Sequence, residues 1–384
     1  MSQPLFAAPR VVSNADECLF YHTVDVPGRG TFKGFWDIRG REAEYLGNVS
    51  FAGRRVLEIG PASGHLTFFM EKQGAEVVSI EARDETVWDL FWDQNGPLPP
   101  HLQTLLTESR KALNEIKNSY WFCHQAFASK ARVHYGSAYE LPRELGQFPV
   151  SVMACMLLHN KNPLRIIENC ARLTRDEIII VEPVRKLQSS QASAEFLPTG
   201  NEPWWDTWWG FTPRFFVNVL RSMGFTHSTV THHTQTCFDK PQELFTVVAR
   251  RNQPQEQATT ASAVNVKFES PVEALRLRVN SVVSLPLKVT NTGEQPLSSF
   301  STPPLLISYH WKHGSGDIAV WDGLRTELPY SLGSGAAEDM FVTVQAPTQP
   351  GDYVLEITLL QENVQWYDDA IIGLPVRVQA SVTA

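Results

Sequence analysis

Over the first 250 residues, short runs rich in apolar and β-branched side chains alternate with longer stretches of helical spacing. The runs are RRVLEI, AEVVSIE, ARVHY, VSVMACM, EIIIVEP and ELFTVVAR. This alternation predicts an α/β domain, a parallel sheet covered by helices on both faces. After the first run, Leu66, Phe69 and Met70 fall at i, i+3 and i+4, and Gly74 ends the predicted helix. The texture then changes: period-2 or apolar runs such as SLPLKVTNTG, LLISYHW, DMFVTVQAP and DYVLEITLLQ are separated by Gly, Pro and Asn turns. They predict a smaller antiparallel β-sandwich. Between the two textures lies RNQPQEQATTASAV, polar, small and without apolar periodicity. The expected domains are therefore 1–250, a linker at 251–264, and 265–384.

Composition narrows the classes. At 384 residues and 43% hydrophobic, the chain is long enough for two domains, each with its own core. The formal charge is -8, with 25 basic against 27 acidic residues up to position 250 and 8 against 14 beyond it. Neither part is basic, which argues against affinity built on phosphate neutralisation, and so against a nucleic-acid partner. Five cysteines without a C-x-x-C spacing indicate neither a disulfide framework nor a zinc knuckle, and no metal is expected. No run approaches the roughly 20 apolar residues that span a bilayer, and the amino terminus lacks the pattern of an export signal. A soluble, cytoplasmic protein is the expectation.

The stretch VLEIGPASGHLT, a strand, a small-residue turn and a helix start, carries the chemistry. A Walker loop counted from Gly60 needs a glycine and then lysine at the positions held by His65 and Leu66, so ATP is disfavoured. The dinucleotide fingerprint needs glycine at 60, 62 and 65, where the chain has Gly60, Ala62 and His65. What remains is acid-x-G-x-[G/A]-x-G: Glu58, Ile59, Gly60, Pro61, Ala62, Ser63 and Gly64. It resembles motif I of the class I S-adenosylmethionine-dependent methyltransferases, which implies a seven-stranded doubly wound sheet and that cofactor. Small residues let the main chain approach a ligand closely, and a strand-end carboxylate suits an ammonium group. The next strand closes on Glu81, 23 positions beyond Glu58 and followed by Ala82, placed to accept ribose hydroxyls.

The resemblance extends over roughly residues 18 to 250. It places Ser137 and Ala138 beside the adenine, Cys155 and Met156 at the edge of the cofactor, and His159 toward the acceptor. Methyl transfer relies on positioning, but an aliphatic hydroxyl acceptor also needs a base; His159 is the first candidate and His124 the second. Either is equally readable as a packed or capping histidine. Trp36, Asp37, Ile38 and Arg39 are similar to the segment ahead of motif I in the tRNA wobble-uridine carboxymethyl transferases, which makes Trp36 and Arg39 candidate cofactor contacts. Trp204, Trp205, Trp208 and Trp209 form either an acceptor-binding wall or a lid packed on the core.

The second domain looks like sandwich modules attached to enzymes of bacterial surface-polysaccharide synthesis. Trp311, Trp321, Trp366 and Tyr367 are then either sugar-stacking residues or sandwich core. The resulting expectation is a methyltransferase acting on a hydroxyl of a glycan or glycosylated small molecule, with self-association or a partner subunit through the sandwich left open. The alternatives are a tRNA-modifying enzyme and a non-catalytic binding protein.

Overall fold

The computed structural model describes residues 4–84, 86, 89–90, 95–98, 100–184, 192–198, 206–251, 264–300, 303–368, 371 and 373–384. The chain divides into two compact units, one of residues 1–226 and 232–252, the other of 227–231 and 253–384. Residues 252–263 of the expected linker lie outside the described residues, as do Trp204 and Trp205.

Along the first unit run β1 (Val24–Val26), β2 (Gly30–Phe32), β3 (Trp36–Asp37), α1 (Glu42–Tyr45), β4 (Arg55–Ile59), α2 (His65–Lys72), β5 (Glu76–Glu81) and α3 (Pro100–Ala126). They are followed by β6 (Arg132–Tyr135), β7 (Phe148–Ala154), α4 (Pro163–Leu173), β8 (Thr174–Pro183), β9 (Ala194–Phe196), β10 (Trp209–Phe211), α5 (Pro213–Ser222), β11 (His227–Cys237, of which 232–237 belong to this unit) and β12 (Lys240–Arg250). The main sheet has the order β3-β11-β12-β8-β7-β4-β5-β6. From β8 to β6 all neighbours are parallel, whereas β12 runs antiparallel to β8.

The central strands are apolar because both of their faces are covered: Val56, Leu57 and Val78, and the run Ile178, Ile179, Ile180 and Val181, are fully buried. From β4 the chain moves outward through α2 and α3 to β5 and β6. It then returns to β7 on the other side of β4 and moves outward again through α4 to β8. Right-handed crossovers taken in opposite directions put the two sets of helices on opposite faces. The sheet is thus doubly wound, and the order reverses between β4 and β7, opening a crevice at their carboxyl ends. Helix α4 starts where its sequence dictates: Asn162 caps it by accepting from the Arg165 amide at 3.2 Å, and Pro163 opens its first turn.

Two strands of the main sheet went unread in the sequence. β3 adds an eighth member at the sheet edge, pairing with the end of β11. β11 itself reads HSTVTHHTQTC, whose inward positions are mostly Ser, His and Gln, so hydrophobic alternation does not reveal it.

The second unit is all β: β13 (Val266–Glu269), β14 (Ala274–Arg278), β15 (Val282–Asn291), β16 (Leu305–His313), β17 (Ile318–Val320), β18 (Ala337–Gln345), β19 (Gly351–Gln361), β20 (Gln365–Trp366) and β21 (Val376–Thr383). One sheet has the order β13-β15-β18, the other β14-β21-β19-β16-β17 with β20 beside β19. Both sheets feed one core, with Val289, Val342 and Val344 from the first and Tyr309, Trp311, Leu355, Ile357 and Val378 from the second. The expectation of wholly antiparallel pairing fails at one place: β14 and β21 are parallel. They come from opposite ends of the unit, so no hairpin dictates their direction. Of the four aromatic candidates here, Trp311 and Tyr367 are fully buried core, while Trp321 is 45% exposed and Trp366 half-buried. Among the described residues of the chain, no helix is long and apolar enough to cross a membrane.

Trp311→Ala should destabilise the second unit by about 3–5 kcal/mol, the scale for emptying a fully buried aromatic site. The Trp311 indole also donates to the Gln345 carbonyl at 2.9 Å. Denaturant titration of the full chain, followed by a probe in the second unit, checks it.

Candidate active site

The first unit holds a cleft of about 1350 Å³ over the carboxyl ends of its central strands. The register that creates it is direct: Ile59 pairs with Ile80, and Glu58 with Ser79, so the carboxyl ends of β4 and β5 lie side by side. The chain leaving β4 turns sharply, with Gly60, Ala62 and Gly64 all at positive φ (73°, 48° and 80°). Gly60 donates its N–H to the Ile80 carbonyl at 2.9 Å, and Gly64 donates to Pro61 at 2.8 Å.

The two outer glycines serve different ends. A Cβ on Gly60 would meet only Met156, at 3.6 Å, so this face of the turn is open to the cleft. A Cβ on Gly64 would lie 2.6 Å from the Phe68 ring and 2.9 Å from Tyr120. Gly64 is therefore required by packing of α2 and α3 rather than by ligand approach. Ser63 is also turned away from the cleft, its fully buried Oγ accepting from the Tyr21 amide at 2.6 Å and from the Ser119 hydroxyl at 2.9 Å. It clamps the turn to two distant segments.

Glu58 is buried and lines the cleft. Thr67 and Ser79 donate to it at 2.5 and 2.8 Å, and both reach Oε2. Among the described residues no hydrogen bond reaches Oε1, and no cation faces this carboxylate. Burial, only partly offset by the two hydroxyls, raises its pKa to about 7, with Glu81 and Glu71 adding smaller repulsion. Glu81 also lines the cleft and accepts from the Ala82 amide at 2.7 Å. Burial raises its pKa too, against the attraction of the Ala82 and Ala62 amides and of Lys117. The two carboxylates therefore share one crevice.

Pro61, Ala62, Ala82, Ser137, Ala138, Cys155, Met156, His159 and Trp36 line the same cleft. Ser137 anchors a turn by accepting from the Tyr139 amide at 3.2 Å. Cys155 receives a hydrogen bond from the Tyr45 hydroxyl at 3.3 Å, and burial pushes its thiol pKa well above the ordinary range, so it is no nucleophile. His159 is half-buried, and its Nδ1 donates to the Asp206 carbonyl. That bond makes Nε2 the basic nitrogen, and burial lowers the pKa, keeping the ring neutral.

Other sequence candidates lie elsewhere. His124 packs against Trp121 and Tyr120, its Nε2 bonded to the Ala131 carbonyl at 3.0 Å, and is not on the cleft wall. Arg39 sits in a shallow depression, paired with Asp25 and Asp37 at 2.7 Å each. Trp208 and Trp209 are likewise not on the wall: their indoles donate to the Asp89 and Asn160 carbonyls at 2.8 and 2.9 Å. They fasten the β9–β10 hairpin instead. Asp89 itself is on the wall and accepts from the Tyr139 hydroxyl and, at 3.0 Å, from the Lys161 amide.

Sequence reasoning missed Tyr21, His22 and Tyr45, which close the cleft near Trp36 and Cys155. They lie ahead of the glycine turn in segments without strong periodicity.

No family model and no curated protein matches the chain. Solved structures do. The magnesium protoporphyrin IX methyltransferase of Synechocystis PCC 6803, with bound SAH, matches at 14% identity and a TM-score of 0.35, over 55% of this chain and 80% of that one. The 1,6-didemethyltoxoflavin-N1-methyltransferase of Burkholderia thailandensis matches at 16% identity and 0.35, over 56% and 78%. The N-terminal domain of EvdMO1, in the presence of SAH and D-fucose, matches at 15% and 0.36, over 62% and 93%. The strand order and the reversed last strand make the first unit a doubly wound α/β sheet, as the resemblance carried by the glycine turn implies. Within it, the two strand-end acids and the glycine turn stand at the crevice where such a sheet takes a ligand.

A pH dependence follows from Glu58. Its folded pKa of about 7 lies above the ordinary 4.5, so in that window the folded protein holds a proton that the unfolded chain has released. Stability tied to this group is therefore present at low pH and lost as pH rises through about 7, by about 3 kcal/mol in all. Thermal melts of the ligand-free protein from about pH 5 to 8 should show a decline that Glu58→Gln flattens.

Proposed function

We propose that the first unit binds S-adenosylmethionine across the β4–β7 switch and transfers its methyl group to a hydroxyl, on a glycan or a glycosylated small molecule. The observation that carries this reading is Glu58: a buried carboxylate facing a ligand-sized cleft with one oxygen unclaimed and no cation near it among the described residues. Burying such a group is unfavourable unless a positive partner arrives. An ammonium group fits this acid and a pyrophosphate does not, which favours an amino-acid nucleoside over a dinucleotide.

The remaining donors fit the same ligand. Gly60 presents open main chain, Glu81 is placed to accept two ribose hydroxyls, and the Ser137–Ala138 turn borders the far end of the cleft. At about 1350 Å³ the cleft exceeds the usual range of about 300–1000 Å³ for one small ligand, which leaves room for an acceptor.

When bound, the cofactor supplies a methyl carbon activated by a sulfonium. The protein's part is to align an acceptor oxygen with it and to remove the acceptor's proton. His159 suits proton removal, since its tautomer is set by the Asp206 carbonyl, its Nε2 carries the lone pair, and burial keeps it unprotonated at neutral pH. Tyr21, Trp36 and Tyr45 offer ring faces and two hydroxyls for the acceptor. The second unit is proposed as an accessory module that does not contribute to this chemistry.

Incubation with methyl-labelled cofactor and glycan extracts should move label into a hydroxyl-bearing product. Cofactor binding without transfer to any such acceptor overturns the hydroxyl reading, and transfer to tRNA replaces it. His159→Asn should lower kcat by about a hundredfold or more while leaving the affinity for S-adenosylhomocysteine unchanged. Glu81→Ala should weaken that affinity by about 1–3 kcal/mol in calorimetry, the scale of a lost charge-assisted hydrogen bond.

A further inference from the structure

The second unit carries an aromatic surface that the chemistry above does not use. Trp321, in the turn that follows β17, is 45% exposed, and one face of its indole stacks on His310 of β16, with ring centres 4.0 Å and planes 19° apart. His310 is itself 1% exposed, so the open area of Trp321 belongs to its other face and its edges. Trp366 of β20 packs on the same imidazole at 4.3 Å and stands at 57° to Trp321, which gives the surface a wall.

An exposed indole alone needs no explanation, but this one is held still by a built turn. The Trp321 carbonyl accepts from Nδ1 of His310, whose Nε2 lies 3.2 Å from the Asp368 carboxylate. Gly323 donates to the Tyr309 carbonyl at 3.1 Å, and a side chain there would clash, since a Cβ would lie 2.6 Å from that oxygen. Arg325 closes the turn. It donates to the Gly323 carbonyl at 2.8 Å, to Asp322 at 2.6 Å and to Glu362 at 3.0 Å, with its guanidinium 5.1 Å from the centre of the Trp366 ring. A ring fixed in this way loses little freedom when a ligand settles on it.

The chemistry of the surface selects the ligand. The face of an indole carries partial negative charge, which suits the weakly positive C–H groups on the flat side of a sugar ring. The rim is polar: Asp322 and Asp368 each keep one carboxylate oxygen outside any hydrogen bond among the described residues, free to accept from sugar hydroxyls. A purely apolar partner would strand these acids. A quaternary ammonium takes a cage of several rings, whereas Trp366 is already engaged by Arg325. We infer that Trp321 is the stacking platform of a carbohydrate-binding site on the second unit, with Trp366 as its wall and Asp322 and Asp368 as hydroxyl acceptors. The site shares no residue with the cleft of the first unit, and it stands whether or not that cleft transfers a methyl group.

The test probes the full chain on an array of bacterial and mammalian oligosaccharides and follows the strongest binder by calorimetry. The wild type should bind, Trp321→Leu should bind about tenfold or more weakly, and Trp321→Phe should keep most of the affinity. Leucine retains the apolar bulk that a protein contact would use but has no ring face. Asp322→Ala, which leaves the three rings in place, should weaken binding about threefold or more. All three variants should hold S-adenosylhomocysteine as the wild type does. Binding to no oligosaccharide overturns the inference, and so does a sugar affinity that Trp321→Leu and Asp322→Ala leave unchanged. A wild type that binds an oligosaccharide but not S-adenosylhomocysteine upholds this site and overturns the reading of the first unit alone.

Discussion

A carboxylate buried at the end of a central strand, with no cation facing it among the described residues, is the constraint around which the first unit is arranged. Glu58 can be tolerated there because Thr67 and Ser79 supply hydroxyls to Oε2 and because its raised pKa lets it keep a proton when nothing is bound. Both hydroxyls come from the elements that follow in sequence, the helix and strand that the glycine turn launches. The strand, the turn, α2 and β5 therefore form one electrostatic unit rather than a loop resting on a sheet. The same four elements place Glu81 within reach of Glu58's field, so that two acids share a crevice that a single cationic, hydroxyl-bearing ligand would relieve.

The other end of the cleft is held by a network of hydrogen bonds centred on Asp89. Asp89 gathers the Tyr139 hydroxyl, the Lys161 amide and, through its carbonyl, the Trp208 indole. Trp209 holds the Asn160 carbonyl, and the Asp206 carbonyl orients His159. The tryptophan-rich stretch thus contributes to the site by fixing the backbone around the proposed base. Its described indoles have their N–H groups engaged, and so act as fasteners.

The sequence carried the sheet well because its central strands are buried on both faces and read as unbroken apolar runs. The glycine turn and the two acids were legible for a different reason: they are local in sequence, and the doubly wound topology brings any such local motif to the switch point. What stayed hidden was assembled from a distance. β11 keeps polar side chains facing inward, so hydrophobic alternation is absent. His124 stood out as a histidine near aromatic residues, but packing between helix and strand claims it. Arg39 looked like a ligand contact because its neighbours resemble one, whereas two nearby aspartates hold it on the surface. Tyr21, His22 and Tyr45 reach the cleft only after residues far apart in the chain have paired.

Ser63 shows what this assembly entails for the order of events in folding. Its hydroxyl joins the turn to residue 21 on one side and to residue 119 on the other. A nascent chain that has emerged only as far as β5 already contains every residue of the glycine motif, yet lacks the helix that clamps it. The loop that looks most autonomous in the sequence therefore has its full set of clamps only with α3 in place, and the motif transplanted alone onto another scaffold would arrive without them.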